Sequence, residues 1–270
     1  MTNVTSGSVE VNGARLFYEA AGAGQSFVML HGHLLDRRQW DHEFGSFAAD
    51  YRVVRFDARG FGQSSQPGEP FAFSEDLRGL MDALSIERAV LMGCSGGGAT
   101  IIDFALAYPD RAAALVLVGS GLGGYPWPKE PPPLALEMRA AFDRGDLAGA
   151  VDLALRMWTD GEGRTPEQVN PAARERTREM HRQLFTRPRI EIEARELEPP
   201  AAGRLAELQA PMLVTVGAND LPFIREIADL ISEQAPNARK VVIPDAGHHP
   251  NMEHPELFEQ VVREFLAAHA

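Results

Sequence analysis

The chain has 270 residues, 44% hydrophobic and 24% charged, with 26 Lys and Arg against 38 Asp and Glu for a formal charge of −12. That composition excludes intrinsic disorder, which needs low hydrophobicity and high charge. The acidic balance argues against a nucleic-acid partner, whose phosphates need clustered Lys and Arg. The strongest apolar run, residues 113–119, is far short of the ~20 residues that span a bilayer, and residues 1–9 carry no basic, apolar leader. A cytoplasmic protein with no membrane partner is therefore expected. The single cysteine, Cys94, excludes an internal disulfide.

In chain order, Ser8–Val11 and Arg15–Glu19 flank Asn12-Gly13, a hairpin signal, so the sheet is expected to begin antiparallel. Phe27–Leu30, Arg52–Phe56, Ala89–Met92 and Ala114–Val118 follow as short apolar strands, the pattern of a parallel sheet buried on both faces. Between the last two, Ile101, Phe104, Ala105 and Tyr108 recur at helical spacing and Pro109 closes the segment. The rhythm then breaks at Gly121, Gly123, Gly124 and the prolines from Pro126 to Pro133. From about Leu134 to Ile192 the periodicity is helical with no convincing strand, and roughly 80 residues is too long for an ordinary connection. Pro199-Pro200 and Gly203 lead back to strands at Met212–Gly217 and Lys240–Ile243, with helices carrying Ile224, Ile227 and Ile231, then Phe258, Val262 and Phe265. Alternating strands and helices predict a three-layer α/β fold with a helical insertion.

Gly93-Cys94-Ser95-Gly96-Gly97 lies between a predicted strand and a predicted helix. Gly-x-Ser-x-Gly in that setting is a nucleophile elbow: a tight turn lifts the hydroxyl above the sheet edge, and the glycines leave room for it. The next N–H, that of Gly96, is placed to meet a developing oxyanion. Taken alone, the motif is as well read as a glycine-rich helix start. A serine nucleophile needs a base and the base an orienting acid. Asp220 follows the strand Met212–Gly217 and His248 follows Lys240–Ile243, in the chain order such an elbow requires. Each has a bland reading, Asp220 as a helix cap and His248 as a loop histidine, but all three at strand ends in that order point to a Ser95–Asp220–His248 triad. The loop Leu30-His31-Gly32-His33 offers the N–H of His33 as a second oxyanion donor. His31 and His33, with Asp36 and His248-His249 to complete a cluster, also admit a metal reading, the weakest one because a triad leaves a metal no work.

Together, His31-Gly32, the stretch from Asp57 to Ser64, the elbow at Ser95, Gly217 to Asp220, and Gly247-His248 with Glu253 and Pro255 resemble the α/β-hydrolase superfamily, in its capped, esterase-like branch. The resemblance implies a mostly parallel eight-stranded sheet with helices on both faces and a helical lid inserted after strand 6. The core would be 1–121 and 204–270, and the lid 122–203, similar to the family in position only. By that analogy Ser95 is the nucleophile, His248 the general base and acid, and Asp220 its orienter, with no cofactor and no metal. Asp57 and Arg59 become structural. The expected reaction is hydrolysis of carboxylic esters of small, largely apolar molecules through an acyl-enzyme. C–C bond hydrolysis, lactonase or perhydrolase chemistry, and a slow receptor-like hydrolase stay open. C–C hydrolases of this kind usually carry Trp directly after the catalytic His, where this chain has His249. Candidate pocket residues are His31, Trp127, Phe142, Trp158 and His249, although His249 is as readily placed facing solvent. Cys94 is expected to be a packing residue. His42, His181, His254 and His269, and the insertion's Arg139, Arg144, Arg156 and Arg164, are expected on helix or protein surfaces.

Overall fold

The computed structural model describes residues 3–66, 68–126, 130–187 and 194–269. Its strands are β1 (Thr5–Val11), β2 (Ala14–Ala21), β3 (Ser26–Leu30), β4 (Arg52–Phe56), β5 (Ala89–Cys94), β6 (Ala112–Val118), β7 (Met212–Gly217) and β8 (Ala238–Ile243). They form one eight-stranded sheet in the order β1-β2-β4-β3-β5-β6-β7-β8. Only β2 runs against the rest, pairing antiparallel with β1 and β4. The β1–β2 turn takes Asn12 and Gly13 at φ 48° and 74°, the left-handed pair that matches the twist of a tight hairpin.

Strand alternation divides the apolar side chains between the two faces of the sheet. Val28, Leu30, Leu91, Leu115, Leu117 and Val214 pack with α2 (Phe73–Ala83), α3 (Gly96–Ala107) and α7 (Pro222–Gln234). Phe27, Met29, Val90, Met92, Val116 and Val118 pack on the other face with α1 (Asp41–Phe47) and α9 (Pro255–Ala267). Burial on both faces explains the near-continuous apolar runs of β3, β5 and β6. The outer strand β8 is the exception: it exposes Val242 and carries Arg239 and Lys240, charges that suit a sheet edge.

Between β6 and β7 the chain forms α4 (Pro133–Asp143), α5 (Leu147–Ala154) continued by a π-helical turn over Leu155–Asp160, and α6 (Pro171–Phe185). Asn170 caps α6 by accepting from the N–H groups of Ala172 and Ala173. This segment is tied to the sheet's carboxyl end: Glu162 N–H donates to the Asn219 carbonyl at 2.7 Å, and His248 N–H to the Trp158 carbonyl at 3.1 Å. A short helix α8 (Pro250–Glu253) completes the strand-end loops.

Candidate active site

Ser95 sits between β5 and α3 with φ 52° and ψ −119°, a conformation L side chains rarely adopt. Such a residue stores about 1–3 kcal/mol and persists only where its surroundings over-determine it. Here three backbone bonds do so. Ser95 N–H donates to Val118 at 3.0 Å, while its carbonyl accepts from Ala99 at 3.1 Å and Gly121 at 2.9 Å. The flanking glycines are steric necessities: a Cβ on Gly93 would collide with the Gly97 carbonyl, and one on Gly97 with the carbonyls of Leu30 and His31. Gly96 opens α3, so its N–H belongs to the first turn, where no carbonyl four residues back is available.

His248 and Asp220 meet from the loops after β8 and β7. His248 Nδ1 lies 2.9 and 3.1 Å from the two Asp220 oxygens, and both side chains are buried. A carboxylate only accepts, so Nδ1 carries the proton and Nε2 keeps its lone pair. Nε2 is buried with no hydrogen-bond partner. His248 lines, together with Ser95, a pocket of about 80 Å³ shared with Gly32, His33, Leu34, Leu35, Trp158 and His249. Asp220 also accepts from the Leu221 N–H at 2.7 Å. Gly119, after β6, has φ +49°, and any side chain there would crowd both His248 Nδ1 and Asp220.

The loop after β3 is pinned from behind. Gln39 Oε1 accepts from Gly32 N–H at 2.9 Å, and Asn251 of α8 donates to the Gln39 carbonyl at 3.2 Å. The structure corrects the expectation for His31. Its ring turns away from the pocket, with Nε2 accepting from Ala58 N–H at 3.0 Å and Nδ1 donating to the Gly32 carbonyl at 2.8 Å. Burial lowers its pKa, and both nitrogens are spent bracing the β3 and β4 loops. His249, read from the sequence either as a pocket residue or as facing solvent, is buried and lines the Ser95 pocket, and burial takes its pKa well below the ordinary value. Trp158 lies in the π-helical turn, its ring 4.6 Å from that of His248. Such turns are common at functional sites, and no local signal in the sequence marks this one. Phe142 lines a different, larger cavity of about 540 Å³. Trp127 lies outside the described residues.

Arg164 departs from the expectation too, because its side chain is largely buried. It pairs with the buried Glu253 at 2.7 Å, and Glu253 accepts from Gly247 N–H at 2.7 Å, immediately before His248. That pair locks the His248 loop to the insertion. His181 lies on α6 as expected, but fully buried. Asp57 accepts from Arg37 and from Gln63 N–H, and Arg59 pairs with Asp76 of α2, so both tie the loop after β4 to its neighbours.

For a metal, Cys94, His248 and His249 each bring one donor atom to within 4.8 Å of the others. Burial pushes the Cys94 thiol up to about 12 in the metal-free protein. A cation on His248 would have to take Nε2, since Nδ1 is committed to Asp220, and would block the proton acceptor instead of serving it. Among the described residues no group of three ligating side chains forms around His31, His33 and Asp36.

A sequence profile of the alpha/beta hydrolase fold matches residues 25–255. The chain belongs to the α/β-hydrolase family. It is 30% identical over 94% of its length, and 91% of the relative, to a 2-hydroxy-6-oxo-6-phenylhexa-2,4-dienoate hydrolase of Burkholderia cepacia. It is 29% identical to a pimeloyl-[acyl-carrier protein] methyl ester esterase of Pectobacterium carotovorum, over 94% of this chain and all of that one. Among solved structures, a thermophilic esterase of Thermogutta terrifontis superposes with a TM-score of 0.76 at 26% identity, covering 98% and 99% of the two chains. These α/β-hydrolase relatives are hydrolases of C–C bonds or esters, so the reaction class is hydrolysis and the bond type is the finer question. Among the described residues no helix is long and apolar enough to cross a membrane.

Proposed function

We propose that this α/β-hydrolase cleaves carboxylic esters of small, largely apolar molecules by way of an acyl-enzyme on Ser95. One observation carries the reading: the Asp220-bound imidazole of His248 keeps its unpartnered Nε2 in the same small pocket as the strained Ser95. Ser95 Oγ attacks the ester carbonyl and passes its proton to His248 Nε2, while Asp220 holds the imidazolium that forms. The N–H groups of Gly96 and His33 take the developing oxyanion. His248 then returns the proton to the leaving alcohol and draws one from the water that releases the acid. The helices of residues 122–203 act as a lid over the strand ends. The walls of the large cavity, with Phe61, Leu136, Met138, Phe142, Leu184 and Phe185 among them, support a largely apolar substrate. A second reading, hydrolysis of a C–C bond beside a ketone, is supported by the likeness to dienoate hydrolases over nearly the whole chain.

Intact mass after a fluorophosphonate treatment tests the nucleophile. Wild type is expected to gain one adduct and Ser95→Ala none, with ester turnover falling at least ~10⁴-fold in the variant. An adduct, or ester hydrolysis, that survives Ser95→Ala overturns the reading. Parallel assays with p-nitrophenyl butyrate and a 2-hydroxy-6-oxo-dienoate then separate the two bond types by kcat/KM.

A further inference from the structure

Two cavities meet at one side chain. The inner one, about 80 Å³, holds Ser95, Trp158, His248 and His249. The outer one, about 540 Å³, lies between α4, the end of α6 and the loops after β3 and β4, with Phe61, Ala135, Met138, Phe142 and Phe185 among its walls. Among the described lining residues His33 alone borders both. His33 is exposed by accessible surface, with the rings of Phe61 and Phe73 beside it. Three neighbours fix the ring. It stacks on Phe61 with centroids 5.7 Å apart and planes at 19°, leans on Phe73 at 4.9 Å, and lies flat over Gly96, where a Cβ would collide with it.

The two volumes do different work. Small-molecule sites usually enclose about 300–1,000 Å³, which the outer cavity satisfies and the inner one does not. A substrate whose carbonyl carbon reaches Ser95 can keep only a short group in the inner space. Its other group has to run past the His33 ring into the outer, apolar cavity. We propose that the His33 side chain is a specificity-determining partition, so that the site selects esters with one short side and one bulky, apolar or aryl side. This rests on Ser95 being the nucleophile. It assigns the imidazole a role apart from the backbone N–H of the same residue. Enclosure lowers the pKa of His33 below the ordinary histidine value, so the wall is an uncharged ring at neutral pH.

The test is a matrix of kcat/KM values. One arm lengthens the acyl group of methyl esters from acetate to octanoate, a second lengthens the alcohol of acetate esters from methyl to octyl, and a third enlarges both ends. Wild type is expected to accept extension in one of the first two arms, which identifies the side that enters the outer cavity. It should fall at least tenfold in the third. His33→Ala should raise doubly bulky esters at least tenfold relative to one-sided esters, whereas His33→Phe should keep the wild-type pattern. Ala135→Trp, which fills the outer cavity, should lower the bulky one-sided ester at least tenfold more than methyl acetate. If His33→Ala and Ala135→Trp scale every ester by one common factor, the partition is wrong. If wild type takes no fluorophosphonate adduct, the failure lies with the nucleophile instead.

Discussion

Two groups of buried polar side chains flank the strand ends, and they are treated oppositely. Beside β4, the Arg59 guanidinium grips both Asp76 oxygens at 2.7 and 2.8 Å, and Asp57 accepts from Arg37 and from Gln63 N–H. On the side of α6 and α8, both nitrogens of His181, Nδ1 of His249 and both oxygens of Glu43 are buried without a hydrogen bond of normal geometry. A buried polar group without a partner costs about 1–3 kcal/mol, and more if it must be charged. The first region is therefore a brace whose members each need the other. The second holds groups kept neutral by burial, reaching the Ser95 pocket through His249. The contrast shows that removing a polar group should have opposite signs in the two places.

The largest expected effect is in the brace. Arg59→Met leaves Asp76 buried and unpaired, and breaking such a pair costs about 3–5 kcal/mol; urea unfolding at pH 7 measures it. A loss under about 1 kcal/mol would erase the distinction between the regions. The opposite sign is expected at Glu43, whose carboxyl burial pushes up to about 8 from 4.5, against partial relief from its own backbone N–H and Asn251. Because the folded value lies above the unfolded one, wild type loses stability as pH rises through 4.5, and the penalty levels off above 8. Glu43→Gln should then stabilise on the order of 3 kcal/mol at pH 7 and almost nothing below pH 4.5. A pH-independent gain would assign the effect to packing. The smallest effect concerns His181, which burial, with the nearby Arg178 charge, lowers to about 3 from 6.5. Its folded value lies below the unfolded one, so stability is complete above pH 6.5 and drains as pH falls toward 3. His181→Phe should keep the stack on Phe185, whose planes meet at 12°, and be about 2 kcal/mol more resistant than wild type at pH 5. At pH 8 that advantage should vanish; equal differences at both values would mean that the folded imidazole takes up its proton as readily as the unfolded one.

Much of the fold was legible in the sequence because its causes are local. The apolar runs of β3, β5 and β6 follow from burial on two faces, and Asn12-Gly13 encodes its own hairpin. The glycines around Ser95 are readable for the same reason: the turn leaves no volume for a Cβ at 93 or 97. That Asp220 and His248 touch follows from their sitting at the ends of adjacent strands, β7 and β8. The misreadings share one physical origin. His31 beside His33 looks like a pocket residue, yet the neighbouring β4 loop offers it the Ala58 N–H and turns it inward. Arg164 reads as a solvated charge until the α8 loop brings Glu253 to it from 89 positions away.

By itself, then, the sequence determined the α/β class, the strand-end positions of Ser95, Asp220 and His248, and the helical insertion between β6 and β7. Those depend on periodicity, glycine sterics and chain order. Only the tertiary structure decided which imidazole braces, which lines the pocket and which divides the inner cavity from the outer. A side chain at a loop turns toward whatever partner or void the packed elements leave beside it, and those neighbours come from distant parts of the chain.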